Sequence, residues 1–86
     1  MTMPEYRVYD SVLDAVGRTP LLRLARLGAG LEAEIFAKLE FLNPMGSIKD
    51  RIAKYMIEKA EREGRIRPGD TIVDSSSGNT ALGLAM

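Results

Sequence analysis

The sequence predicts an α/β fold, read as the opening segment of a larger protein built on a parallel sheet. Three observations carry that expectation. The apolar patterning runs in the order strand, helix, strand, helix, the grammar of a parallel α/β sheet. Residues 48–63 carry a helical stripe, with apolar side chains at 48, 52, 53, 56, 57 and 60. The chain then stops at Met86 inside the apolar run TALGLAM, and two or three parallel strands cannot close a doubly covered sheet. The expected unit is therefore the N-terminal part of a longer fold. The alternative is a self-contained small domain that dimerises through this end.

Taken in order, residues 1–10 (MTMPEYRVYD) show no period and read as an arm. In DSVLDAVG, Ser11 is followed three residues later by Asp14, a capping-box-like start, and Gly17 supplies a stop, so a short helix is expected. TPLLRLARLG alternates Leu22 and Leu24 with Arg23 and predicts a strand, followed by a turn at GAGL. AEIFAKLEFL sets Ile35, Ala37 and Leu39 against Phe36, Lys38 and Glu40, a second strand with one apolar face. The helix over 48–63 follows, with Glu58 and Arg62 paired on its wet side and Gly64 just past its end. RPGD predicts a turn, TIVD a short buried strand, SSSGN a loop, and TALGLAM the opening of another helix.

Composition removes whole classes of function. Twelve basic and twelve acidic residues cancel, which leaves no basic field for nucleic acid. Cysteine and histidine are both absent. The chain thus has no thiol nucleophile, no disulfide framework, no Cys/His zinc site and no imidazole base. Proton transfer near neutral pH falls to a perturbed lysine or carboxylate, or to a cofactor. The N-terminus lacks a signal-peptide pattern and no apolar run reaches membrane-spanning length, so a cytoplasmic protein is the expectation.

Two stretches carry chemistry. In NPMGSIKDR, Ser47 is placed to cap the coming helix, with Lys49 in its first turn and Asp50 at the third position. Lys49 shares a side with Ile52, Ala53 and Met56, the side expected to be buried. Burial and the positive helix end both disfavour an ammonium group there and favour a neutral amine, the form that attacks a carbonyl. A lysine whose stem covers the core while its head reaches water or Asp50 fits the same residues. In DSSSGNT, three hydroxyls, Gly78 and Asn79 precede a helix, at the carboxyl end of a predicted strand. Backbone amides and the helix dipole suit such a turn to a carboxylate or phosphate. An ordinary capping turn has the same composition. Neither stretch matches a nucleoside-triphosphate or dinucleotide loop. Together they offer an imine-forming amine and a seat for an anion, both of which amino-acid chemistry on an aldehyde cofactor requires.

NPMGSIKDR, followed by EGRIRPGDTIVDSSSGNTALGLAM, resembles the start of the pyridoxal-phosphate-dependent cysteine synthase and cystathionine β-synthase family. VGRTPLLRL and EIFAKLEFLNP fit the same opening, so the resemblance covers nearly all of residues 10–86. It implies the tryptophan synthase β-subunit type of fold: two α/β domains with the cofactor between them. Residues 1–34 would then be an arm, a short helix and the first strand, and residues 35–86 the start of the smaller cofactor-binding domain. By the same resemblance Lys49 is the catalytic lysine that bonds pyridoxal phosphate. Asn79 hydrogen-bonds the pyridoxal ring hydroxyl, and Ser76, Ser77, Gly78, Asn79 and Thr80 grip the substrate α-carboxylate.

The implied reaction is β-replacement on an activated serine through an aminoacrylate, with Lys49 as the general base. Cysteine synthase chemistry with a sulfur nucleophile, or cystathionine β-synthase-like chemistry, is the family's usual version, in a homodimer. Threonine dehydratase and threonine synthase relatives are the alternative, as is a 2,3-diaminopropionate synthase-like enzyme using an amine donor. The chain departs from the family at Ser75 (usually Pro or Ala), Ser76 (usually Thr) and Ala81 (usually Gly), around the substrate loop. The family's phosphate-binding loop and its partner for the pyridine nitrogen lie downstream of Met86, so the 86 residues alone are expected to be a non-catalytic fragment.

Overall fold

The computed structural model describes residues 7–76 and 78–86. Residues 7–10 are exposed and without regular structure, as an arm would be. A 3-10 helix over Val12–Ala15 comes first, and Ser11 caps it by accepting from the Leu13 amide at 3.2 Å. Strand β1 (Leu21–Arg23) then pairs with β2 (Phe36–Lys38) in the register Leu21–Lys38, Leu22–Ala37 and Arg23–Phe36. The pair is antiparallel, not parallel as the element order suggested. The connection between the strands holds turns and no helix, so nothing carries the chain back across the sheet to a parallel start.

Helix α1 (Lys49–Arg62) is the longest element. It ends as expected at Gly64, whose φ of +73° suits glycine; the Arg65 amide reaches back to the Ala60 carbonyl at 2.9 Å and closes the last turn. The predicted Glu58–Arg62 pair is replaced by Lys59–Glu63 at 3.9 Å on the neighbouring rung. Residues 67–70 form the expected turn, with Asp70 accepting from the Arg67 amide at 2.8 Å. Residues 71–74 are not the buried strand that TIVD predicted, and Val73 is 90% exposed. A strand needs a neighbour for its amides, and no described segment runs beside this one. Helix α2 (Asn79–Ala85) follows and lies against α1.

That contact decides which face of α1 is covered. Asp50 and Ala53 are fully buried beneath α2, with Ile57 and Ala60 half-buried on the same side. The other half of the stripe is open: Ile48, Ile52 and Met56 are 51%, 43% and 45% exposed. The chain exposes 7217 Å², against about 5,000 Å² for a compact protein of its mass. Its apolar faces therefore outnumber the elements available to cover them. The buried side chains are mostly polar: Thr19, Asn43 and Asp50, with Ala53 the one buried apolar residue described. Lys54 joins the 3-10 helix to α1 by donating to the Leu13 carbonyl at 2.9 Å. Among the described residues no helix is long and apolar enough to cross a membrane.

Candidate active site

Lys49 is the first residue of α1, one position earlier in the helix than expected. Ile48 occupies the cap position with helical dihedrals, so Ser47 does not cap in the usual sense; its hydroxyl still accepts from the Lys49 amide at 3.1 Å. Asp50 turns away from the lysine. Its Oδ2 accepts from the Met45 amide at 2.7 Å, which folds the preceding loop down onto the first turn of α1. Asp50 Oδ1 is buried without a partner among the described residues. Lys49 is half-buried, and no ion pair among the described residues involves it. The expectation that it shares a buried side with Ile52, Ala53 and Met56 is corrected: α2 covers the Asp50–Ala53 side, and only Ala53 of the three is enclosed.

The second stretch is organised by Ser76. Its Oγ accepts from the Gly78 amide at 3.3 Å and from the Ala81 amide at 2.9 Å, tying the loop to the first turn of α2. A hydroxyl that accepts twice retains its proton for donation. Gly78 has φ +152° and ψ −73°, a conformation that L side chains rarely adopt. A Cβ there would meet nothing within 4 Å, so conformation rather than crowding selects glycine. Asn79 and Thr80 are the first residues of α2. Ser77 lies outside the described residues.

The two stretches meet through Gly83. A Cβ built on Gly83 would stand 3.0 Å from Ala53 Cβ, 3.2 Å from the Lys49 carbonyl oxygen and 3.4 Å from Asp50 Cα. Asn79 lies one turn earlier in α2, about 6 Å along the axis. The first turn of α1 thus lies against the second turn of α2, the helix that the Ser76 loop opens. A wide open cleft of about 640 Å³, lined by Arg7, Tyr9, Val16, Gly17, Arg18 and Arg51, includes none of the predicted site residues.

A polar cluster supports the lysine's segment from behind. Arg51 donates from Nε to Glu40 Oε2 at 2.9 Å and from Nη2 to Glu40 Oε1 at 2.8 Å. Thr19 and Asn43 also donate to that carboxylate, at 3.1 and 2.6 Å. The Arg51 hydrogen bonds, with those from Asn43 and Thr19, outweigh partial burial and pull the Glu40 carboxyl from 4.5 down to about 2. Glu40 in return raises Arg51. Sequence reading took Glu40 as an outward strand position. No periodicity links residues 19, 40, 43 and 51, so local pattern carried no sign of the cluster.

The profile of the family described as "Pyridoxal-phosphate dependent enzyme" matches residues 12–86. The chain belongs to this family. Pyridoxal phosphate is accordingly its cofactor class, as a reactive lysine beside an anion seat suggested. Its relatives include the N-(2-amino-2-carboxyethyl)-L-glutamate synthase of Ralstonia nicotianae, 60% identical over 79 residues, which are 92% of this chain and 23% of that protein. A cysteine synthase of Staphylococcus aureus is 54% identical over 76 residues, 88% of this chain and 24% of that one. A cystathionine beta-synthase of Dictyostelium discoideum is 49% identical over 79 residues, 92% of this chain and 16% of the relative. The chain spans about a quarter or less of the length of these curated relatives.

The residues described suit the part of the cofactor they would meet. Lys49 provides a primary amine outside any described ion pair, and Gly83 lets α2 approach the first turn of α1 where a Cβ would hold them apart.

Proposed function

We propose that the protein carries out β-replacement on an activated serine, with Lys49 as the residue that bonds pyridoxal phosphate and moves the α-proton at its Nζ. The observation that carries this reading is the Gly83 contact, which sets the Lys49 turn beside the helix that follows Ser76. Asn79 would hold the ring hydroxyl, and Ser76, Ser77, Gly78, Asn79 and Thr80 the substrate carboxylate. Ser76 suits this role because its oxygen is already fixed by two amides while its proton remains to give. When bound, the cofactor supplies the electron sink for the carbon that loses its proton. Residues 1–34 serve as arm, short helix and first strand, and residues 35–86 open the smaller, cofactor-binding domain of a two-domain cytoplasmic homodimer. The open face at Ile48, Ile52 and Met56 supports that arrangement, because it is apolar surface awaiting cover.

Two acceptors fit. A sulfur nucleophile makes the protein cysteine synthase-like. An amine makes it a synthase of a β-amino-substituted alanine, and the 60% identity to an N-(2-amino-2-carboxyethyl)-L-glutamate synthase favours this second reading. The name of that product places a new C–N bond between an alanyl β-carbon and the nitrogen of glutamate.

The test uses the full-length protein with pyridoxal phosphate. Borohydride reduction followed by peptide mapping should place the label on Lys49, not on Lys38, Lys54 or Lys59. O-acetylserine or O-phosphoserine is then supplied with sulfide or with L-glutamate, and products are identified by mass. Label on another lysine, or no substituted alanine with either nucleophile, would sink the reading.

A further inference from the structure

We propose that Glu40 is a positioning residue for Lys49, because its single carboxylate grips both ends of the segment 43–51 that carries the lysine. At the front of the segment Asn43 Nδ2 donates to Glu40 Oε2 at 2.6 Å, and also to the Glu40 carbonyl at 2.9 Å. At the back Arg51, two residues after Lys49, donates to both oxygens of the same carboxylate, at 2.9 and 2.8 Å. The chain between them is closed into a loop whose base is one side chain.

Bonds inside and outside that loop set its shape. Within it, Asp50 Oδ2 holds the Met45 amide at 2.7 Å and Ser47 Oγ holds the Lys49 amide at 3.1 Å. Outside it, the Gly17 amide donates to Asn43 Oδ1 at 2.9 Å, while Arg51 Nη2 reaches the Gly17 carbonyl at 3.2 Å and Thr19 Oγ at 3.0 Å. The backbone on each side of Lys49 is thereby referenced to residues 17–19 through Glu40. A lysine side chain has a flexible four-carbon stem, so its amine reaches a fixed point only if its Cα is fixed. A misplacement of about 1 Å at a reacting group costs roughly 100-fold in rate. Glu40 makes no described contact with Lys49, so its effect passes through the backbone.

Glutamine at position 40 has the same size and the wrong chemistry. The oxygens of Glu40 accept at both positions, Oε2 from Asn43 and Arg51 and Oε1 from Arg51 and Thr19. An amide turns one of those positions into an NH2 group, which then faces donors. The experiment compares full-length wild type with Glu40→Gln by amide hydrogen exchange and by reductive methylation with formaldehyde, each mapped by mass spectrometry. The expected result is exchange at residues 45–49 faster by about tenfold or more, with residues 56–62 of α1 unchanged. The Lys49 methylation rate should shift by about threefold or more relative to Lys59, whose stem is free of this cluster.

Unchanged exchange at 45–49, loosening spread equally along α1, or an unaltered Lys49 rate would each overturn the proposal. Should Glu40→Gln fail to fold, Asn43→Ser releases the front end together with its Gly17 contact and is read in the same way, with the same outcomes deciding. That Lys49 is the reacting amine rests on the proposed function, which wild-type trapping with pyridoxal phosphate tests separately. The exchange ratio decides the role of Glu40 whichever lysine is trapped.

Discussion

Gly83 of α2 sits on Ala53 of α1 so closely that a Cβ on Gly83 would stand 3.0 Å from the Ala53 methyl carbon. Two further neighbours, the Lys49 carbonyl at 3.2 Å and Asp50 Cα at 3.4 Å, are backbone atoms that cannot rotate away. Glycine in the middle of a helix normally costs about 1 kcal/mol relative to alanine, so this one is retained against propensity. The close approach gives the reason.

Gly83→Ala should therefore destabilise the full-length protein by a net ~1 kcal/mol, since overpacking of about 1–3 kcal/mol exceeds the propensity gain. Ala53→Gly in the same chain should recover part of the loss, because it removes the nearest of the three contacts. Urea unfolding of the two single variants and the double variant checks this. Strict additivity would show that the two residues do not share a contact.

The Glu40 carboxyl lies near 2 in the folded chain, against an ordinary 4.5. A carboxyl lowered on folding contributes stability that is present above its unfolded value and lost as pH falls towards its folded one. Wild type should lose this contribution between about pH 5 and pH 2, and Glu40→Gln should show no such increment over the same window. Melting temperatures of both proteins across that range provide the measurement. Parallel curves would mean that the Arg51–Glu40 pair adds nothing in solution.

Ser76 holds two amides of the α2 start. Ser76→Ala should cost about 1 kcal/mol, as loss of a helix cap does, while Ser76→Thr keeps the hydroxyl and should stay within about 0.5 kcal/mol of wild type. Chemical denaturation separates the two. On the proposed function Ser76→Ala should also raise KM for the amino-acid substrate. A variant that weakens the helix with KM unchanged would confine Ser76 to capping.

Asp50 is wholly buried, with one oxygen on the Met45 amide and the other unpartnered. Asp50→Ala strands that amide and should destabilise by about 1–3 kcal/mol. Asp50→Asn keeps an oxygen for Met45 and should cost clearly less. Equal losses in a denaturant series would show that something other than this hydrogen bond holds Asp50 in place.

Much of the organisation could be read directly. The Ser11 cap, the Gly64 stop and the long amphipathic run each rest on contacts within a few residues, and all appear where local chemistry places them. The two motifs lie at helix starts, as their residue types require. Long-range relationships fared worse. Residues 71–74 have strand composition without a neighbouring strand, and the stripe on α1 gave no sign of which half α2 would cover. The half-buried cluster of Thr19, Glu40, Asn43 and Arg51 left no periodic trace, because it draws single residues from separate segments.

By itself the sequence determined what is local: helix starts and stops, turns, the absence of thiol and imidazole chemistry, and two motifs whose residue types suit a reactive amine and an anion. Tertiary structure alone decided that β1 and β2 run antiparallel, that Asp50 faces inward to Met45 rather than to Lys49, and that Gly83 brings α2 onto the first turn of α1. The division follows from range. A cap or a turn is settled by neighbours along the chain, whereas burial, strand direction and a carboxylate's choice of partner depend on which distant segment arrives beside it.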